Sequence, residues 1–173
     1  MATTDPVNPV YEGFYRSLLQ VHEELREGAR KFGATAGDDA RDAETEALVL
    51  SFCDTLLRHH KAEDAFFFPA FRAAGKLKSS DVAVLAALDE EHLTVTRLCG
   101  ELNDATGARR RGATSGAEWR RHVARLSIEL RDVCVPHFAT EERILTAEGV
   151  ATMLTPPQMD AVYRDMKENW TRR

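Results

Sequence analysis

Two short stretches of this chain share the form H-x-x-x-E: His59-His60-Lys61-Ala62-Glu63 and His137-Phe138-Ala139-Thr140-Glu141. Four residues make slightly more than one α-helical turn, so His59 and Glu63 share a helix face, as do His137 and Glu141. That face is also the apolar one. Phe52, Leu56, His59, Glu63 and Phe66 recur at alternating steps of four and three, and Leu126, Leu130, Val133, His137, Glu141 and Ile144 do much the same. A carboxylate aimed into a core is costly unless it is paired. Two of them, each one turn from an imidazole, are most simply explained by a shared metal.

Bulk properties narrow the partners. A chain of 173 residues, 43% hydrophobic and 29% charged, fits one domain with a single core. A net charge of -5 argues against a nucleic-acid or anionic-membrane partner. No apolar run approaches the roughly 18 residues of a membrane span. The first ten residues lack the basic and apolar regions of a secretion signal. Cys53, Cys99 and Cys134 are single and far apart, which reads as reduced thiols in a cytoplasmic protein. The run Arg109-Arg110-Arg111 reads as part of a solvated loop.

Periodicity predicts an all-α chain. Residues 1–9 form an N-terminal arm. Helices are expected over 10–32, 44–68 with an extension past Pro69 to residue 74, 81–103 and 116–148. Pro69 should end or kink the second of these. Ser80-Asp81 should cap the third, and Ser115-x-x-Glu118 the fourth, which Gly149 follows. Pro136 falls inside the fourth helix, next to His137, where a bend could re-aim the imidazole. Together, residues 10–148 predict an antiparallel up-down-up-down four-helix bundle. Residues 149–173 add a C-terminal helix opened by Thr155-Pro156-Pro157. Its single stripe of Met159, Val162, Met166 and Trp170 should pack on the bundle.

Each bundle helix carries one His near the middle of its inward face: His22, His59, His92 and His137. With Glu63 and Glu141, six groups can converge at one level. His60 with Asp64 is a competing i, i+4 pair; aligning Glu63-Asp64 with Glu141-Glu142 selects His59 and Glu63, and leaves His60 as a ligand's partner or a surface group. Asp64 and Glu142 are then placed to hydrogen-bond an imidazole, as metal-bound His usually requires. Tyr15 lies two turns before His22, about 10 Å along the axis. It reads as core packing, with a neighbour of the site as the alternative. In an alternating bundle the three Cys fall on one side of the metal level, and Tyr15, Phe66, Leu85 and Ile144 on the other.

The order H … H-x-x-x-E … H … H-x-x-x-E resembles the hemerythrin-like, HHE cation-binding family. The likeness rests on His22-Glu23-Glu24-Leu25-Arg26, the run HHKAEDAFFFP from His59 to Pro69, Glu91-His92-Leu93, and HFATEERIL from His137. It implies two iron ions bridged by two carboxylates and an oxygen species. Glu63 and Glu141 would bridge, and His22, His59, His92 and His137 would be terminal ligands. Oxygen-carrying hemerythrins have a further His one turn after the third-helix ligand; here that place is Thr96, a poor iron ligand. One metal would then have an extra position for water, an exogenous ligand or another protein group, which shifts the expectation from oxygen carriage toward peroxide or nitric oxide.

The resemblance therefore implies a non-haem di-iron protein binding O2, peroxide or NO as carrier, scavenger or sensor. Two alternatives stand beside it. One is a di-iron oxidoreductase that turns over peroxide or oxidises a small substrate. The other is a structural or storage metal site, with zinc as one occupant. The oligomeric state is left open.

Overall fold

The steps of three and four fold as helices, and the computed structural model, which describes residues 8–171, contains no strand among them. All but the last two residues of the expected arm over 1–9 lie outside the described residues. Helix α1 spans Pro9–Thr35 and is opened by Asn8, whose side chain accepts the Val10 N–H. A 3-10 turn at Asp39–Arg41 leads into α2, Asp42–Ala62. A π-helical turn, Glu63–Phe67, joins α2 to α3, Phe68–Ala74. Then follow α4, Ser79–Arg110; α5, Gly116–Ile144; α6, Ala147–Met153; and α7, Pro156–Thr171.

The long helices pack in a ring, α1 against α2, α2 against α4, α4 against α5, and α5 against α1. Neighbours run in opposite directions. On α1 and α2, Phe32 meets Phe52 while His22 meets His59. On α4 and α5, Thr106 meets Trp119 while His92 meets His137. Apolar side chains fill the ring above and below the His level. One cluster holds Phe32, Phe52, Trp119 and all three Cys. The other holds Phe14, Phe67, Phe68, Phe71 and Leu85, and Met159 of α7 seals it.

Four boundaries differ from the periodicity reading, each for a local reason. Pro69 acts one turn ahead of itself. It has no N–H to give Ala65 and its ring crowds that carbonyl, and the chain widens beforehand so that the Phe68 N–H reaches Glu63 O, five residues back. The extra residue turns the stripe: Phe67 is fully buried and Phe66 only partly.

Helix α4 starts earlier than the expected Ser80-Asp81 cap, because the Asp81 carboxylate accepts the Lys78 N–H at 2.8 Å. It also runs on to Arg110, so Arg109 and Arg110 belong to a helix end and not to a solvated loop. Arg109 reaches Asp42 at 2.8 Å and lies 4.2 Å over the Trp119 ring, while Arg110 pairs with Glu46. Guanidiniums at the C-terminus of α4 thus face acids in the first turns of α2, a favourable match of charge and dipole. Finally, α5 stops at Ile144, and Gly149 sits inside α6 instead of following the bundle. A Cβ at Gly149 would lie 2.5 Å from the Ile144 carbonyl oxygen, so only glycine permits this close return. No described helix is long and apolar enough to cross a membrane.

Candidate metal centre

Four helices and the π turn bring seven polar side chains to one level of the bundle. His22 comes from α1, His59 and His60 from α2, Glu63 from the π turn, His92 from α4, and His137 and Glu141 from α5. None is more than 4% exposed. Their donor atoms form two overlapping groups, each within 4.8 Å: His22, His59, Glu63 and Glu141 in one, His60, Glu63, His92 and His137 in the other. Glu63 belongs to both, with one oxygen 3.6 Å from His59 Nε2 and the other 3.7 Å from His92 Nε2. Glu141 straddles them similarly, 3.1 Å from His22 Nε2 and 3.4 Å from His137 Nε2.

The outer side of three imidazoles is fixed by carboxylates. His22 Nδ1 lies 2.9 Å from Glu142, His92 Nδ1 2.7 Å from Asp64, and His137 Nδ1 2.8 Å from Glu91. A carboxylate can only accept, so each Nδ1 carries the proton and Nε2 is the nitrogen turned to the interior. His92 Nε2 and His137 Nε2 nevertheless face each other at 3.2 Å, and His22 Nε2 and His59 Nε2 at 3.1 Å. Both carboxylate oxygens of Glu63 and of Glu141 are buried without a hydrogen bond, as are both ring nitrogens of His60. The interior is therefore a set of buried polar atoms that the protein itself leaves unsatisfied.

Electrostatics agree. Burial first, then Glu141 and Asp64, push the Glu63 carboxyl well above the usual carboxylate range. Burial first, then the surrounding imidazoles, push His59 and His60 well below the usual imidazole range. Protein groups alone do not make this cluster comfortable; cations do, and imidazole with carboxylate suits iron or zinc. The residues present fit a pair of metal ions.

The hemerythrin HHE cation-binding domain matches twice, over residues 13–85 and over 83–170. This chain belongs to that family. Each match takes in one lone His of the cluster, His22 or His92, followed by one H-x-x-x-E. Searches of curated proteins and of solved structures return no significant match.

In this hemerythrin-domain chain the six residues singled out from sequence, His22, His59, Glu63, His92, His137 and Glu141, come together. His60 is not a surface group: it is buried in the second donor group, stacked 3.9 Å over His92. Adjacent residues lie about 100° apart on a helix, and α2 touches both α1 and α4. His59 therefore turns to His22 on α1 and His60 to His92 on α4. Thr96 is exposed and takes no part. Tyr15 donates to the Glu142 carbonyl at 3.1 Å, tying α1 to α5 beside the site. Glu91 is the residue that sequence reasoning passed over; its signal was an acid directly before an inward His, turned toward the neighbouring helix.

The three thiols are buried and stand apart from both donor groups. Contact with the Cys53 thiol and then burial raise Cys99, and burial first pushes Cys134 up to about 12.

Proposed function

We propose that this chain is a non-haem di-iron protein that binds a small ligand, O2, peroxide or NO, between its helices. Glu63 and Glu141 would be shared between the two ions. His22 and His59 would hold one, and His60, His92 and His137 the other. The supporting observation is the straddling of both carboxylates across the two imidazole groups, with all four oxygens lacking any other partner. His60 supplies the fifth imidazole that Thr96 fails to provide. The donors are then unequal, two imidazoles against three, so the His22/His59 position has room for an exogenous ligand.

Bound iron supplies the redox change and the coordination position; the chain does the rest. Glu142, Asp64 and Glu91 hold three imidazoles as neutral Nδ1–H tautomers and keep the rings aimed inward. Phe138 stacks 4.4 Å from His22, and Phe68 5.5 Å from His92, which keeps bulk water from both ring faces. Catalytic turnover of peroxide is the second reading, favoured by a groove that reaches His59.

Metal analysis with near-ultraviolet and visible spectra of the isolated, reduced and O2-, peroxide- or NO-treated protein tests the assignment. Two irons per chain and ligand-dependent charge-transfer bands are expected. Stoichiometric zinc with no such bands would return the site to a structural role.

A further inference from the structure

A groove of about 450 Å³ runs between α1, α2 and α7 and ends on His59. That size falls within the ~300–1,000 Å³ of small-ligand pockets. We infer that it binds a small neutral hydroxylated aromatic, a phenol or hydroquinone, which acts as electron donor to the centre. This inference rests on the peroxide reading of the same site.

The walls carry the chemical class. Phe14, Leu18, Val21, Met166 and Trp170 offer apolar planes and edges that suit a ring. One polar handle interrupts them, the Ser17 and Tyr163 hydroxyls, 2.6 Å apart. A shared hydrogen between two hydroxyls still leaves acceptor capacity for a ligand O–H. The two charged groups in the lining are already engaged: Glu24 accepts from Gln20 at 3.0 Å, and the Lys167 ammonium lies 4.3 Å over the Tyr163 ring. The groove thus offers a ring and a hydroxyl their partners, while its charged groups, Glu24 and Lys167, are exposed to solvent.

Its position carries the role. Reducing one peroxide takes two electrons. The chain's own thiols are poor sources, because Cys99 and Cys134 are buried and held protonated. Unless peroxide disproportionates, an external reductant has to come close, and this groove meets the centre at His59, on the side with fewer imidazoles. The reaction balances: hydroquinone gives up two protons and two electrons to become quinone, the O–O bond of hydrogen peroxide breaks, and two waters form. Helix α7 makes the outer wall, held to α1 by the Ser17–Tyr163 pair and to α2 by Arg58, which lies 5.3 Å over the Trp170 ring.

Calorimetric titration of the zinc-loaded chain with hydroquinone separates binding from turnover. Saturable one-to-one binding is expected, with cyclohexane-1,4-diol, which has the hydroxyls and no ring, at least tenfold weaker. Ser17→Phe, which projects a ring into the groove, should weaken hydroquinone at least tenfold and Tyr163→Phe severalfold, with circular dichroism and metal content unchanged. In the iron-loaded chain, Ser17→Phe should raise KM for hydroquinone by a similar factor and leave the dependence on peroxide alone. Absent saturation, equal binding of the diol, or unchanged affinity in both variants would overturn the proposal. Failure of iron uptake or of peroxide consumption, with hydroquinone still bound to the zinc form, would instead remove the peroxide reading and with it the donor role, leaving a binding site.

Discussion

The two halves of the centre are built from nearly the same text and do different things with it. His59-His60-Lys61-Ala62-Glu63-Asp64 pairs position by position with His137-Phe138-Ala139-Thr140-Glu141-Glu142. Asp64 supports His92 from across the bundle, and Glu142 supports His22 in the same way. His60 stacks on His92, and its counterpart Phe138 stacks on His22. One position therefore makes three imidazoles on one side and two on the other. A second difference follows: Glu91 holds His137, whereas Val21 stands at the matching place before His22. Near-repetition supplies a symmetric frame, and in the proposed di-iron reading two departures from it would decide where an outside ligand can enter.

The strongest way to break this comparison is to remove what the halves share. Glu63→Gln should lower metal content from two ions per chain to one or none. The affinity loss should exceed the ~10–100-fold typical of an outer partner of a ligand. The same change takes an unpartnered carboxylate out of the interior, so the metal-free variant should melt higher than the metal-free parent. Metal analysis and melting curves with and without metal check both signs. Two tightly held ions in Glu63→Gln would mean that the carboxylate bridges nothing.

Exchanging the residues that distinguish the halves is next in size. His60→Phe makes both sides two-imidazole sides and should weaken metal at the His92/His137 position by at least the ~10–100-fold typical of an outer partner. Phe138→His adds a sixth imidazole beside His22 and should weaken azide or NO at least tenfold, read by visible titration, with metal content kept. If Phe138→His leaves ligand affinity intact, the open position is not on the His22/His59 side. A smaller effect is expected at Glu91. Glu91→Gln keeps a hydrogen-bonding group on His137 and removes its charge, so roughly tenfold in metal affinity is expected, confined to that half.

How much of this could be read from the chain follows from the same residues. The bundle, its inward stripes and the convergence of six of the seven buried polar groups were legible, because i, i+4 spacing and apolar periodicity are one-dimensional signals. Leu85, Leu88, His92, Val95, Cys99 and Leu102 are all buried as their spacing requires. Of the two places left for His60, the surface one fails because a single inward face was assumed for α2. In a bundle the inward arc is wide enough for two adjacent residues to meet two different neighbouring helices. The π turn was illegible for another reason: a local pattern shows that Pro69 must perturb the helix and not where the slack will be taken up. Glu91 needed the partner helix, since its hydrogen bond joins residues 46 positions apart.

The smallest effect is a pH slope, and it isolates the group common to both halves. His59 and His60 have folded-state values pushed below 6.5, so their stability contribution is present above 6.5 and is lost as pH falls. Glu63 has its value raised from 4.5, so its contribution is present below 4.5 and is lost as pH rises toward the folded value. The two imidazoles therefore tilt metal-free stability upward with pH, and Glu63 tilts it downward. Glu63→Gln removes the opposing tilt and leaves the imidazole one, so its metal-free stability should rise more steeply with pH than the parent's in denaturant titrations. Parallel pH profiles for the two metal-free proteins would show that Glu63 is ionised in the fold without a cation, and the need for metal at this level of the bundle would lose its electrostatic basis.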